Sequence, residues 1–431
     1  MEKIREKIKL LQIAYTSEWA LAKFFPAVFH NGILENFILT GISGREEDRE
    51  QARERIKEEI EKIKEYKNRG EVWRAINLES ELNSLKDILE NLNPLGLSID
   101  YHKITNGSIS LPDADYTAAV IFSKNPTHMP YIQKLIQAGI DVICEKPIVV
   151  VTDKENHRAD RSQLNQLESL VLNSERILMD AEHYSAKKAS LIFYDKLEEM
   201  IERYGKISRI EAWSKEKDDP DKDRTRKLLC RENQTGLLLD MGVHYFGIIS
   251  NIEGNIGEIK EAFYDVFPGN SSKPYDVETY VETKFDINGD YFHKNANGSF
   301  KLAKFIHKFE KPEEKDSKKF QVTFEKRDEN EKVYDSTTVT LDFIEGTVKE
   351  EDREYDRIHT WETPGIAKNE YVNILKEFYD SIINKREPRT SFRRSAKSLD
   401  AIYRICEQFP VFDLIDSKIP NLKTHKRVYK R

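Results

Sequence analysis

Apolar positions along the chain follow two periods, and the switches between them predict its elements. Residues 7–15 (KIKLLQIAY) form a short apolar run that reads as a buried strand. Residues 19–30 read as a helix, and residues 37–42 as a second strand ending in Ser43, Gly44 and Arg45. A strand, helix and strand of that length suit a parallel crossover. From residue 115 the alternation resumes, with a strand at 118–122, a loop at 123–128 opening a helix to 138, a strand at 142–144, a helix at 164–172 and a strand at 176–180. Strands alternating with helices over residues 1–180 predict a doubly wound α/β domain built on a parallel sheet.

Residues 46–92 interrupt this pattern. Ile56, Ile60 and Ile63, then Leu78, Leu82, Leu85, Leu89 and Leu92, recur at spacings of three and four between charged flanks, and Asn68-Arg69-Gly70 breaks the seam. That is a helical insertion of two antiparallel helices. Beyond residue 181 the texture changes. A helix at 191–204 stops at Gly205, a strand follows at 207–213, and 235–249 (TGLLLDMGVHYFGII) reads as a buried helix. Alternating segments at 277–285, 320–324 and 336–343 read as antiparallel strands, the polar tracts 218–226 and 311–319 as loops, and 370–384 and 395–409 as closing helices. Residues 181–431 are therefore expected to form an α+β domain with a large, mostly antiparallel sheet.

Residues 138–147 (AGIDVICEKP) organise the first domain. Gly139 suits the position just after a helix, where φ is often positive. Val142, Ile143 and Cys144 form a short apolar run of the kind buried in a parallel sheet. Pro147 fixes its own φ and pushes Lys146 towards extended backbone. Glu145 and Lys146 thus arrive at the carboxyl end of a strand, where open α/β sheets bind their ligands; the tripeptide alone also reads as a surface Glu-Lys pair beside a proline.

Charge and composition narrow the picture. The formal net charge of −7 over 431 residues argues against general nucleic-acid binding, which needs a basic face. The basic run at 423–431 reads as a solvated end. Cys144, Cys230 and Cys406 are far apart and show no metal or redox spacing, as expected in a reducing compartment. With no signal peptide and no apolar run of membrane length, a cytoplasmic protein without a membrane contact is expected.

Two further places carry candidate chemistry. A mononucleotide-binding half places a glycine-rich loop after its first strand. Here that loop is Ala14, Tyr15, Thr16, Ser17, Glu18, Trp19 and Ala20, without a glycine. Thr16 and Ser17 can cap the helix and offer hydroxyls to a phosphate, whereas Glu18 would repel one and Trp19 is bulky. Arg45, at the end of the second strand, suits a 2′-phosphate and so favours NADP over NAD; it also reads as the first residue of the charged helix that follows. Asp240 and His244 lie four apart, which on a helix puts a carboxylate and an imidazole on one face, suited to proton transfer at a hydroxyl and equally to a structural pair. His183 with these two gives no tight ligand cluster, so no metal site is expected.

Together these pieces resemble the glucose–fructose oxidoreductase and inositol dehydrogenase family, Gfo/Idh/MocA. The matching residues are Asn125, Pro126, Thr127 and His128; Ala138 and Gly139; Glu145, Lys146 and Pro147; Gly236, Asp240, Gly242 and His244; and the segment around Arg386, Glu387 and Pro388. The resemblance implies a Rossmann-like domain over 1–180, carrying the insertion at 46–92, joined to an α+β substrate-binding and oligomerisation domain over 181–431. It implies hydride transfer between a nicotinamide, NADP or NAD, and a sugar- or cyclitol-like alcohol or ketone, a polyhydroxylated small molecule, in a homo-oligomer (dimer or tetramer).

Carried over by position, Lys146 would bond the reacting oxygen, His244 would be the general acid/base and Asp240 would orient it or the substrate. Glu145 and Pro147 would shape the nicotinamide pocket, lined by Asn125, Pro126 and His128, while Tyr15, Thr16, Ser17, Trp19, Ser43 and Arg45 would meet the rest of the cofactor. Against this stands a member of the fold that lost its nucleotide and serves as a binding or scaffold subunit. The glycine-free loop supports that alternative, and Lys146 with His244 supports the enzyme.

Overall fold

A computed structural model describes residues 7–14, 17, 20–28, 33, 36–44, 61, 100–105, 108–109, 116–149, 160–215, 238–252, 255–268, 280–294, 300–310, 317–330, 332–352, 357–408 and 425–430. The helical insertion expected at 46–92, apart from residue 61, lies outside them, together with Tyr15, Thr16, Glu18, Trp19 and Arg45. The contacts divide the chain into two units. The first is Met1–Ile148 with Gln166–Ala181 and Tyr371–Ser391; the second is Val149–Asn165, Glu182–Glu370 and Phe392–Arg431.

The first unit holds seven described strands: β1 (Ile8–Ile13), β2 (Phe37–Gly44), β3 (Asp100–Thr105), β4 (Ser108–Ile109), β5 (Ala118–Ile121), β6 (Asp141–Cys144) and β7 (Leu178–Asp180). Their order is β4-β3-β2-β1-β5-β6-β7, parallel throughout except for the β3–β4 pair at one edge. The chain walks outward from β1 to β3, then returns to start again at β5 beside β1. That reversal is the switch point of a doubly wound sheet. Every residue of β5 and β6 is buried, as strands covered on both faces require.

Residues 371–391 complete this unit, an arrangement that nothing in their local pattern announces. The Phe37 and Phe378 rings stack at 6.5 Å, Tyr379 meets Phe37 edge-on at 5.7 Å, and Tyr371 lies 5.8 Å from Phe122. The Asp180 amide donates to the Thr390 carbonyl at 2.8 Å, and Met179 pairs with Ser391 in an isolated bridge.

The second unit carries nine described strands: β8 (Lys206–Lys215), β9 (Asn255–Pro268), β10 (Tyr280–Lys294), β11 (Phe300–Glu310), β12 (Ser317–Arg327), β13 (Val333–Asp342), β14 (Thr347–Asp352), β15 (Arg357–Trp361) and β16 (His425–Lys430). They form one sheet in the order β15-β14-β13-β12-β8-β11-β10-β9-β16. All neighbours run antiparallel except β8 and β11. The expected α+β sheet is therefore present, with strands longer than the local pattern defines.

The helix Lys188–Tyr204 packs on β12, β13 and β14. It stops at Gly205, whose φ of +92° and close approach exclude a side chain: a Cβ there would lie 2.2 Å from the Glu325 carbonyl oxygen. The helix Val243–Asn251 packs against the helices His183–Ala186 and Phe392–Gln408.

Candidate functional site

The Glu145–Lys146–Pro147 turn is built by a helix stop and a buried strand. Helix His128–Gln137 ends with the Gly139 amide on the Ile136 carbonyl and the Ile140 amide on the Leu135 carbonyl, both at 3.0 Å, and Gly139 has φ +79°. This double closure returns the chain to the sheet with its last carbonyls satisfied. β6 then runs four residues, and the Glu145 amide bonds the Ile121 carbonyl at the end of β5, at 2.9 Å. The Glu145 carboxylate is buried and accepts from the Tyr371 hydroxyl at 2.9 Å. Lys146 is half-buried, and its bond to Pro147 is cis. Cys144, just before them, is fully buried. Its thiol pKa is pushed well above the ordinary value by burial first, then by the charges of Asp180 and Glu145, which makes it an inert core residue.

His128 braces this turn. Its side chain is fully buried, with Nδ1 at 2.8 Å from the Pro147 carbonyl oxygen and Nε2 at 2.8 Å from that of Ser123. The ring therefore ties the loop after β5 to the loop after β6. Burial lowers its pKa despite the two carbonyls, which pull the other way. The neutral ring donates through one nitrogen only. In the same loop Thr127 Oγ1 lies 2.7 Å from both Ser123 Oγ and the Lys124 carbonyl, while Asn125 is half-buried and Pro126 exposed.

In the loop after β1 the described residues are Ala14, Ser17 and Ala20. Ala14 takes φ +58°, the left-handed conformation for which glycine is the usual residue. The Ser17 amide returns to the Ala14 carbonyl at 3.1 Å, and Ser17 Oγ accepts from the Ala20 amide at 3.1 Å where the next helical segment begins. That segment is a π-type turn, Ala20–Phe24, running into the helix Phe25–Val28, within the helix expected over 19–30, of which residues 19, 29 and 30 lie outside the described residues. Ser43 belongs to β2, and its side chain, like Arg45, lies outside the described residues.

In the second unit, His244 is the second residue of the helix Val243–Asn251 at 1% exposure, and Glu182 beside it is at 3%. Glu182 Oε1 pairs with His244 Nδ1 in a short contact. The same carboxylate caps the helix His183–Ala186, accepting from the Tyr184 amide at 2.9 Å and the Ser185 amide at 2.8 Å. The Tyr184 ring stacks on the imidazole with centroids 4.3 Å apart and planes 20° from parallel, and His183 meets it edge-on at 4.4 Å. Lys187 Nζ lies 4.1 Å from the Tyr184 centroid. Asp240 belongs to the π-type turn Leu238–Gly242 that leads into the helix, and its side chain is outside the described residues.

The carboxylate on His244 Nδ1 is thus Glu182, which sequence reasoning missed. A carboxylate directly after β7, followed by His183 and Tyr184, was the available signal. Tyr371, which holds Glu145, was missed as well. Among the described residues no group of three or more His, Cys, Asp or Glu side chains could hold a metal ion, and no helix is long and apolar enough to cross a membrane.

Comparison with known proteins agrees with this architecture. A family model described as "Oxidoreductase family, NAD-binding Rossmann fold" matches residues 90–169, the segment that carries β5, β6 and the Glu-Lys-Pro turn and that begins beyond the β1 loop. Among solved structures, KijD10, a 3-ketoreductase from Actinomadura kijaniata in complex with NADP and TDP-benzene, is 12% identical. The match covers 93% of this chain and 97% of that one with a TM-score of 0.56. An oxidoreductase from Thermotoga maritima is 15% identical, with coverage of 94% and 96% and a TM-score of 0.58. An oxidoreductase from Agrobacterium radiobacter in complex with NAD+, L-tartaric acid and magnesium is 12% identical, with 99% and 98% covered and a TM-score of 0.56. A search of curated sequences found no match. The resemblance to the Gfo/Idh/MocA oxidoreductases is borne out by the family model over residues 90–169, and the solved structures share the fold.

Proposed function

We propose that the chain is a nicotinamide-dependent oxidoreductase that interconverts an alcohol and a ketone on a sugar- or cyclitol-like small molecule, with NADP preferred over NAD. The observation that carries this reading is the placement of Glu145, Lys146 and Pro147 at the carboxyl end of β6 in a doubly wound sheet, within the segment matched by the family model. A bound nicotinamide supplies or accepts the hydride.

The chain's own residues do the rest. Lys146 donates to the reacting oxygen and stabilises charge that develops there. His244 takes or gives the hydroxyl proton, and Asp240 orients the substrate. Glu145 and Pro147 shape the nicotinamide end, with Asn125 and Pro126 lining it and His128 holding Pro147 in place. Tyr15, Thr16, Ser17, Trp19 and Ser43 meet the phosphates and the ribose, and Arg45 meets the 2′-phosphate. The protein works as a cytoplasmic homo-oligomer.

The test is a panel of keto-sugars and polyols followed by nicotinamide absorbance, with Lys146→Ala and His244→Gln assayed on any substrate found. Each substitution is expected to lower kcat by about 10²–10⁴-fold. Turnover that survives both substitutions overturns the assignment. Absence of turnover together with absence of nucleotide binding favours the scaffold reading.

A further inference from the structure

We infer, resting on the reading of His244 as general acid/base, that Glu182 is its positioning residue: it holds the imidazole proton on Nδ1 and leaves Nε2 as the atom that exchanges a proton with substrate. Both Glu182 oxygens face N–H donors. Oε1 accepts from the Tyr184 amide and meets His244 Nδ1, and Oε2 accepts from the Ser185 amide. Backbone amides can only donate, so the carboxylate is set as an acceptor before the histidine is considered. An acceptor facing Nδ1 makes that nitrogen the N–H of the neutral ring. The second ring nitrogen then carries the lone pair.

The carboxylate is also pinned from a third side. A Cβ on Gly247 would lie 3.0 Å from Glu182 Oε2 and 3.3 Å from its Cγ. Glycine at 247 therefore lets the His244 helix approach the carboxylate closely. Tyr184 on one ring face and His183 at the edge limit rotation of the imidazole about its own bond. Among the described residues, Glu182, His183 and Tyr184 pack against His244, and Lys187 lies on the Tyr184 ring; the Asp240 side chain, on the turn before it, is outside the described residues.

In the oxidation direction the substrate O–H bond breaks and an N–H bond forms at Nε2, giving an imidazolium whose charge Glu182 balances. A bound oxidised nicotinamide would accept the hydride that the hydroxyl-bearing carbon releases. Reduction runs the same transfers backwards. Because Glu182 is committed by the helix cap as well, it offers His244 one fixed partner in either direction.

The experiment is nitrogen NMR of the full-length protein labelled at histidine, with the His244 resonances identified by their loss in His244→Gln. Wild type is expected to show His244 as a single Nδ1–H tautomer. Glu182→Gln, which can present an amide N–H to Nδ1, is expected to move the population towards Nε2–H. It should lower kcat by about 10²-fold with KM little changed, and Glu182→Asp should restore part of both. Gly247→Ala keeps every polar group and displaces the carboxylate, so a smaller shift in the same direction is expected there. An Nε2–H tautomer in wild type, or a tautomer that neither substitution changes, overturns the inference. A tautomer that responds in a wild type that neither turns over substrate nor binds a nicotinamide nucleotide upholds the positioning of the ring and defeats the oxidoreductase reading instead.

Discussion

The Tyr371 hydroxyl donates to Glu145 Oε2 at 2.9 Å across 226 residues of sequence, and both side chains are buried. One partner closes the strand that carries Lys146, and the other opens the helix that returns late in the chain to complete the first unit. Removing the hydroxyl leaves a buried carboxylate with one donor fewer, at a cost of about 1–3 kcal/mol. Tyr371→Phe should therefore lower the denaturant midpoint measurably. It should also reduce activity more than an equally destabilising change elsewhere in the unit, because it loosens the residue next to Lys146. Unchanged stability and activity would show that the contact contributes nothing.

His128 predicts a pH dependence. Burial lowers its pKa below the ordinary value of 6.5, so the folded protein keeps the ring neutral at a pH where the unfolded chain already protonates it. The unfolded state then binds more protons, and stability rises with pH across that window. The contribution is complete above about pH 6.5 and is lost as the pH falls below it. Unfolding free energy measured against pH should fall on the acid side of neutrality, with a shallower slope in His128→Gln. Equal slopes in the two proteins would remove His128 as the cause.

Ala14 predicts a stabilising substitution. An alanine at φ +58° carries a Cβ strain of about 1–2 kcal/mol that glycine avoids. The greater freedom of glycine in the unfolded chain takes back part of that gain. Ala14→Gly should raise the melting temperature slightly or leave it unchanged, and should tighten nicotinamide nucleotide binding by opening the loop. A lower melting temperature with weaker binding would mean that the alanine side chain makes contacts that outweigh its strain.

These positions also show how far the sequence could be read. The apolar runs that became β1, β5 and β6, and Gly139 as the helix stop, were legible because they are local: a buried parallel strand and a left-handed residue leave their mark within a few positions. Strands β9 and β11 were not, because Lys and Glu alternate with apolar residues in IGEIKEAFYDVF and KLAKFIHKFE and blur the boundaries. Membership of residues 371–391 in the first unit was also hidden, since their amphipathic pattern says that one face is buried and not against what. At the candidate site, Lys146 and His244 stood out by residue type and spacing. Glu182 and Tyr371 did not, because a carboxylate that holds a histidine 62 positions away, and a tyrosine that holds a glutamate, are ordinary residues until the fold joins them.

The proposed preference for NADP rests on a single cation, Arg45. Arg45 against a 2′-phosphate is a charge-assisted contact of about 1.5–3 kcal/mol, so Arg45→Ala should weaken NADPH binding by roughly tenfold or more and leave NADH nearly unchanged. Parallel titrations with the two nucleotides measure the difference directly. Equal losses for both would place Arg45 on a part of the nucleotide common to them.

The most direct test of the central claim is the nucleotide itself. The purified protein is denatured, the released small molecules are identified by mass spectrometry, and the nucleotide-free chain is titrated with NADPH and NADH. The account predicts NADP(H) released in proportion to protein, or saturable binding of NADPH at micromolar concentration. Neither nucleotide released and neither bound would contradict it and leave the chain as a non-catalytic member of its fold.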